Sequence, residues 1–251
     1  VVIEEFKQRY LNQPYGDVHM LMRALAYKKH PYRWATIGKD ISHIENATME
    51  EVKSFFYKHY APNNAILVVA GDVDVNQVKS LTEKWFSPIE RRDIQIRNLP
   101  KEPIQKSPQK LKVERDVPID LIYKAFHMCS RLDDDFYATD LISDILSRGN
   151  SSRLYNSLVK DQRLFSEIDA FVGGDLDPGL FYFAGKLAPG IDMHEAEKGI
   201  DTEIEKLKID IVKDSELRKV KNKVVSAQMF SELNILNKAI NLATSELIGD
   251  A

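Results

Sequence analysis

The stretch that decides the fold is Glu167-Ile-Asp-Ala-Phe-Val-Gly-Gly-Asp175, which the turn Asp177-Pro178-Gly179 joins to Gly179-Leu-Phe-Tyr-Phe-Ala-Gly-Lys-Leu187. Both arms carry β-branched or aromatic residues, and Asp-Pro-Gly is a favourable turn sequence because proline presets φ and glycine tolerates positive φ. We therefore predict a β-hairpin over 167–187.

Strands and helices flank this hairpin on both sides. Two further strands are predicted at 109–117 and 119–128. The helices predicted around the hairpin lie at 133–147, 151–162, 192–207 and, opening at Asp214, in a long helix toward Glu246.

The first third of the chain mixes the same elements. Helices are predicted at 2–12 and 15–28, from Thr48 to about Tyr60, and from Asp74 to about Phe86. Thr48 and Glu51 form a capping box at the start of one of these helices. The continuous apolar run from Asn64 to Gly71 predicts a strand that is buried on both faces.

Residues 88–110 differ in composition from the rest of the chain. They contain four prolines and six Lys or Arg residues but few large apolar side chains. This composition is typical of a solvated connector, which we prefer to a phosphate-binding patch.

Composition excludes several classes of protein. With 43% apolar residues the 251-residue chain can bury a core, and its net charge of −3 argues against nucleic acid as the main ligand. The longest apolar run, Ala65 to Ala70, is too short to cross a bilayer. A single cysteine, Cys129, excludes an internal disulfide and a thiolate metal cage.

No local motif supplies a complete catalytic site. No two of the six histidines are three or four residues apart, and neither a glycine-rich phosphate loop nor a Gly-x-Ser-x-Gly elbow is present. The loop from Ser147 to Ser152 could hold an anion, but ordinary helix capping explains it equally well. The residues alone predict a mixed α/β protein without a self-contained active site.

Three stretches resemble the pitrilysin/insulinase family of zinc metallopeptidases, specifically its shorter, mitochondrial-processing-peptidase-like bacterial members. The stretches are Val1 to Gly16, His30-Pro-Tyr onward to Pro62-Asn-Asn-Ala and Gly71-Asp72, and Ser151-Ser-Arg-Leu-Tyr155. Their order and spacing match the family over nearly the whole chain.

The resemblance implies an α+β fold with two related domains, each a mixed, largely antiparallel sheet packed with helices. Residues 1–95 would be the C-terminal part of the first, zinc-bearing domain, 96–107 the linker, and 108–251 the N-terminal part of a second, non-catalytic domain that encloses substrate. Since Val1 is not an initiator Met and no helix cap precedes it, we expect the first domain to be truncated at its start. The resemblance implies that the second domain is truncated as well, because the chain ends in that domain's long helix.

The family's zinc site combines two histidines and a general-base glutamate of the motif H-x-x-E-H with a distal glutamate. This chain contains no such motif. By resemblance Glu5 matches the distal zinc-binding glutamate, with Glu4 as the alternative if the helix register shifts by one. Without the resemblance, Glu5 would be interpreted as a solvated acid in a first helical turn.

The family's second domain often carries an arginine and, seven residues later, a tyrosine that hold substrate. In this chain Val159 and Ser166 occupy these positions, and the nearby Arg163 falls where the family has glycine. Valine has no donor and serine is too short. The resemblance thus implies the zinc-bearing subunit of a heterodimer whose homologous partner supplies the Arg/Tyr pair.

These observations predict part of a zinc-dependent endopeptidase that hydrolyses peptides or small proteins by a zinc-activated water. The isolated segment would be inactive, and Zn²⁺ would be bound in the intact protein but not by this segment alone. The alternative is a non-catalytic scaffold or partner subunit of a peptidase-like assembly. No nucleic acid or transmembrane segment is expected, and the sequence leaves the cytoplasm and the periplasm open.

Overall fold

The structure, a computed structural model, describes residues 1–94 and 98–249. The strands are β1 (Leu121–His127), β2 (Phe165–Val172) and β3 (Leu180–Leu187). Two π-helical segments occupy Lys7–Leu11 and Tyr155–Asp161, and short 3-10 turns occupy Pro31–Arg33 and Pro62–Asn64. The α-helices are α1 (Val2–Phe6), α2 (Val18–Ala26), α3 (Ile41–Glu45), α4 (Met49–His59), α5 (Val75–Phe86), α6 (Phe136–Ser147), α7 (Met193–Ile209), α8 (Asp214–Ser231) and α9 (Ile235–Ile248).

The three strands form an antiparallel sheet in the order β1-β3-β2. Phe171 pairs with Tyr182 across the predicted hairpin, and Tyr123 of β1 pairs with Ala184 on the other side of β3. The predictions of a hairpin and of a strand at 119–128 are confirmed, as is the mixed α+β class.

Both faces of the sheet are covered because side chains alternate along each strand. One face carries Ile168, Ala170 and Phe183, which lie in the main core. Helices α6 and α7 and the second π-helix add the fully buried side chains of this core, namely Leu146, Leu154, Leu158, Ala196 and Ile200. The opposite face carries Leu180 and Tyr182, which pack with Tyr27 and the end of α2.

Two predicted strands are absent, and these predictions were wrong. Residues 64–71 form no strand: Asn64 ends a 3-10 turn, and most side chains of the segment are exposed. Residues 109–117 likewise form no strand, and nearly all of them are exposed. An apolar run becomes a strand only when a neighbour takes up its backbone hydrogen bonds, and no described residue forms a ladder with either segment.

Helix ends follow the predicted caps. Thr48 Oγ accepts a hydrogen bond from Glu51 N while Glu51 accepts from Thr48 N, so the predicted capping box is present. The long helix predicted from 214 to 246 is instead divided into α8 and α9. Asn234 causes this division, because its side chain accepts hydrogen bonds from Leu236 N and Asn237 N and caps a new helix.

The chain forms two compact units. The first consists of Val1–Lys39 with Pro100–Asn222, and contains the sheet; the second consists of Asp40–Leu99 with the residues from Lys223 onward. The boundaries at 95 and 107 remain a prediction, and residues 95–97, where the predicted first part meets the linker, lie outside the described residues. No helix in the described part of the chain combines the length and apolar character needed to cross a membrane.

Candidate functional site

The two candidate zinc ligands lie on α1. Glu5 Oε1 is 2.9 Å from Arg9 Nη2, and the Glu5 side chain is 45% exposed. Glu4 Oε1 is 3.3 Å from Lys7 Nζ and is 69% exposed. Both carboxylates are therefore accessible from solvent, and each keeps one oxygen outside its ion pair. The ion pair of Glu5 is the shorter of the two.

The backbone changes from α-helical to π-helical after Phe6, the residue that follows Glu5. Phe6 anchors this point, since its side chain is 4% exposed and its ring lies 5.5 Å from that of Tyr10. The π-helix ends where Asn12 N donates to Lys7 O at 2.8 Å. Arg9, the partner of Glu5, lies within this π-helical segment.

The described residues contain too few clustered ligands for zinc. Among residues 1–94 and 98–249, no group of three His, Cys, Asp or Glu side chains is placed to hold a metal ion. A structural or catalytic zinc site needs at least three protein ligands. The described residues therefore do not form a zinc site by themselves, and Glu5 supplies at most one ligand.

The positions predicted for a substrate-holding pair have structural roles instead. Val159 lies on the second π-helix and packs against the main core. Ser166 lies at the irregularity between Phe165 and Glu167 in β2, and its Oγ donates to Lys186 O at 3.2 Å. Arg163 adopts positive φ (57°) just before β2, in agreement with the glycine expected at this position. Within the described residues, no hydrogen bond or ion pair joins these three residues to Glu4 or Glu5.

The two π-helical segments coincide with the two segments that the sequence singled out. One follows Glu5 and the other contains Val159. π-Helical turns are rare, and they occur frequently at functional sites. No residue pattern in the sequence signalled either of them, so this feature was missed.

The Ser151-Ser-Arg-Leu-Tyr155 motif leads into the second π-helix, and Ser151 and Arg153 line an open cleft of about 990 Å³. Arg153 forms a two-point ion pair with Glu216, and Lys219 Nζ donates to Ser151 Oγ at 3.0 Å. The hydrogen bond from Arg153 holds the pKa of Glu216 below its usual range, although burial opposes it. The motif arginine is thus committed to a structural pair, and an anion at this loop would compete with Glu216.

A cluster of aromatic and polar side chains joins α2 to the sheet, and sequence analysis did not identify it. His19 Nε2 lies 2.9 Å from Tyr123 Oη, and burial together with Arg23 lowers the pKa of His19. Burial also raises the pKa of Tyr27, whose hydroxyl donates to Pro178 O at 3.2 Å. These contacts join residues more than 100 positions apart, so no local pattern could have revealed them.

The His30-Pro31-Tyr32 turn is held by the same hairpin. His30 is 5% exposed, its Nδ1 accepts a hydrogen bond from Tyr32 N at 3.2 Å, and its Nε2 lies 3.4 Å from Asp177 Oδ2 without hydrogen-bond geometry. Asp177 N donates to Tyr32 Oη at 3.1 Å. This motif, which carries much of the resemblance, therefore fixes one loop against the sheet and performs no evident chemistry.

Comparison with known proteins agrees with this architecture. Residues 46–224 match the model of the family described as Peptidase M16 inactive domain. A curated relative, Zinc protease PqqE of Helicobacter pylori, is 32% identical over 224 residues, which cover 88% of this chain and 50% of that protein. The chain thus spans about half the length of this relative.

Solved structures show the same fold. The crystal structure of a protease from Helicobacter pylori is 30% identical, with a TM-score of 0.87 over 98% of this chain and 60% of that chain. A peptidase M16 inactive domain from Pseudomonas fluorescens, 20% identical, gives a TM-score of 0.75 over 89% of this chain and 53% of its own, a likeness of fold alone. Because the family model matches well over half of its residues, this chain belongs to the peptidase M16 family, and the match is to the inactive domain.

Proposed function

We propose that this chain is part of a zinc-dependent endopeptidase that hydrolyses peptides or small proteins. Its own contribution would be the end of the zinc-bearing domain, at 1–95, and the non-catalytic domain from 108 onward, which helps to enclose substrate. The observation that carries the proposal is Glu5, an exposed carboxylate that Arg9 orients at 2.9 Å, at the position the resemblance matches to the distal zinc ligand. The name of the Helicobacter pylori relative supports the same class.

The chain on its own should be inactive. A lone carboxylate binds zinc weakly, and the described residues offer no second or third ligand beside Glu5. The histidines and the general base would have to come from residues outside this chain. Glu5 would contribute one carboxylate, which is paired with Arg9. We assign no step of the hydrolysis to the other residues of the chain.

A homologous partner subunit would supply the missing substrate contacts. Val159 packs in the core and Ser166 is bonded to Lys186 O, so neither can present a guanidinium or a phenol to a peptide. Both side chains are well accommodated, which indicates that these positions serve packing here. An arginine and a tyrosine at the equivalent positions of a partner would complement them.

The alternative is a non-catalytic scaffold or partner subunit of a peptidase-like assembly. It is favoured by the substitution of both substrate-holding positions and by the structural use of Arg153 and His30. The two functions differ in whether Glu5 binds zinc.

Peptide hydrolysis by the intact protein tests the proposal. We expect turnover of an unstructured peptide that a chelator abolishes and that zinc restores, and a stimulation of at least tenfold by a homologous subunit carrying the Arg/Tyr pair. Metal-independent turnover would overturn the zinc mechanism. Absence of turnover with the partner and zinc both present would favour the scaffold.

A further inference from the structure

Three consecutive backbone N–H groups converge on one carboxylate in the first compact unit. Lys28 N lies 2.7 Å from Glu102 Oε1, and Lys29 N and His30 N each lie 2.8 Å from Glu102 Oε2. Successive N–H groups arranged in this way form a nest, a concave site that binds anions. The structure therefore contains a carboxylate-binding site whose present occupant is the chain's own Glu102.

The donor side of this nest is held independently of Glu102. His30 is buried, and its ring packs 4.3 Å from that of Tyr32 while its Nδ1 accepts from Tyr32 N. Arg33 Nη1 donates to Lys28 O at 3.2 Å on the other side of the loop. Since these contacts do not involve the carboxylate, the three N–H groups should keep their directions when Glu102 leaves.

Glu102 itself, by contrast, directly precedes a segment that has few contacts with the rest of the protein. Residues 103–109 are exposed, and within the described part of the chain no hydrogen bond or ion pair ties them to anything outside the segment. Pro100 and Pro103 flank Glu102 at two positions on one side and one on the other. Release of Glu102 would therefore free a connector without breaking other contacts of its own.

The charges around the nest favour an anion. The side chains of Lys28 and Lys29 are exposed beside it, and His127 attracts the Glu102 carboxylate. Asp177, 3.4 Å from His30 Nε2, is the opposing charge. Burial disfavours the Glu102 anion, but the three N–H groups and His127 outweigh this effect, so that the pKa of Glu102 is lowered.

We propose that the Lys28–His30 nest is a peptide-carboxylate site that Glu102 blocks in cis, and that a peptide's terminal carboxylate binds there when Glu102 is displaced. The choice of a peptide as ligand rests on the proposed peptidase function, whereas the carboxylate chemistry rests on the nest alone. Each cleavage of a peptide bond creates one new terminal carboxylate, on the fragment N-terminal to the cleaved bond, which makes this ligand available to a peptidase.

The test is a titration of the intact, isotope-labelled protein with acetate, followed by NMR at the amides of Lys28, Lys29 and His30. In Glu102→Ala we expect saturable shifts of all three amides, with an apparent affinity at least tenfold higher than in the wild type. The matched control Glu114→Ala, which removes another exposed glutamate that follows the connector, should behave like the wild type.

A second titration distinguishes the peptide from the free anion. N-acetyl-diglycine with a free carboxylate should shift the same amides in Glu102→Ala, and the amidated peptide should not. Binding of acetate without the peptide would overturn the peptide assignment, and binding of neither would overturn the site while leaving the zinc proposal intact.

Hydrogen exchange tests whether the three N–H donors are preorganised. Glu102→Gln keeps the size of the side chain, so hydrogen exchange at the three amides in this variant reports whether the donors stay in place. If exchange there rises to the rate of the exposed connector in both variants, the nest is not preorganised and the proposal fails.

Discussion

Arg153 and Glu216 form a two-point ion pair across 63 positions of sequence, with Nε 3.0 Å from Oε1 and Nη2 2.7 Å from Oε2. The guanidinium and carboxylate are only 19% and 18% exposed. A planar fork facing a carboxylate at this depth is stronger than a surface pair because solvent screens it less. The pair joins the start of the second π-helix to the first turn of α8.

Arg153→Ala should lower the free energy of unfolding by about 2 kcal/mol, since it leaves Glu216 partly buried without its partner. Arg153→Lys should recover less than half, because lysine cannot make the two-point contact. Urea unfolding measures both. Lys208→Ala, which breaks the exposed pair with Glu205, is the matched control and should cost less than about 0.5 kcal/mol. Equal losses of unfolding free energy in Arg153→Ala and Lys208→Ala would show that the Arg153–Glu216 pair is no stronger than a surface pair.

The same pair should make stability depend on pH in the acidic range. The hydrogen bond from Arg153 lowers the pKa of Glu216 in the folded state relative to the usual value of 4.5. This contribution is therefore present above pH 4.5 and is lost as the pH falls through the lowered pKa. Thermal unfolding between pH 3 and 7, compared with Glu216→Gln, should show a smaller acid loss in the variant. Parallel curves would contradict the assignment.

Leu158 of the second π-helix lies in the main core with 0% exposure, next to Gly199 of α7. Leu158→Ala should destabilise the protein by about 3 kcal/mol through lost burial and an unfilled cavity. Leu132, 61% exposed, provides the control, and its alanine variant should lie within about 0.5 kcal/mol of the wild type. Calorimetry of the three proteins checks this, and a loss below about 1 kcal/mol at Leu158 would contradict the packing.

Gly185 of the central strand packs directly under an aromatic ring. A Cβ at this position would lie 2.5 Å from Phe165 Cε1, closer than any tolerated contact. Gly185→Ala should therefore cost about 2 kcal/mol, since overpacking displaces the ring or the strand. Adding Phe165→Leu, which replaces the ring by a smaller side chain, should recover part of the lost stability. Additive destabilisation in the double variant would show that the contact is not the cause.

The elements that could be predicted from the sequence are those whose deciding interactions are local. The Asp177-Pro178-Gly179 turn specified the hairpin, and the Thr48/Glu51 box specified a helix start, because each signal lies within four residues. Asn234 carries an equally local capping signal within the predicted long helix, and the prediction overlooked it. Caps and tight turns form from neighbours in the chain, so one sequence is enough to find them.

Features that depend on residues far apart in the chain could not be predicted from the sequence. The apolar run at 64–71 indicated burial, but a strand also needs a neighbour, and no sequence pattern shows whether one is present. The Glu102 nest joins residues 72 to 74 positions apart. For the candidate site, only the resemblance pointed to Glu5, whose carboxylate has no distinctive local pattern.

If Glu5 is a zinc ligand of the intact protein, as we propose, the zinc content of that protein must depend on its carboxylate. Elemental analysis of the intact protein should give about one zinc per chain, as expected for a single site. Glu5→Gln should lower the zinc affinity by at least tenfold, and Glu4→Gln, one residue away on the same helix, should leave it unchanged. Equal zinc binding by the wild type and Glu5→Gln, or absence of zinc from the wild type, would contradict the assignment of Glu5 as a zinc ligand.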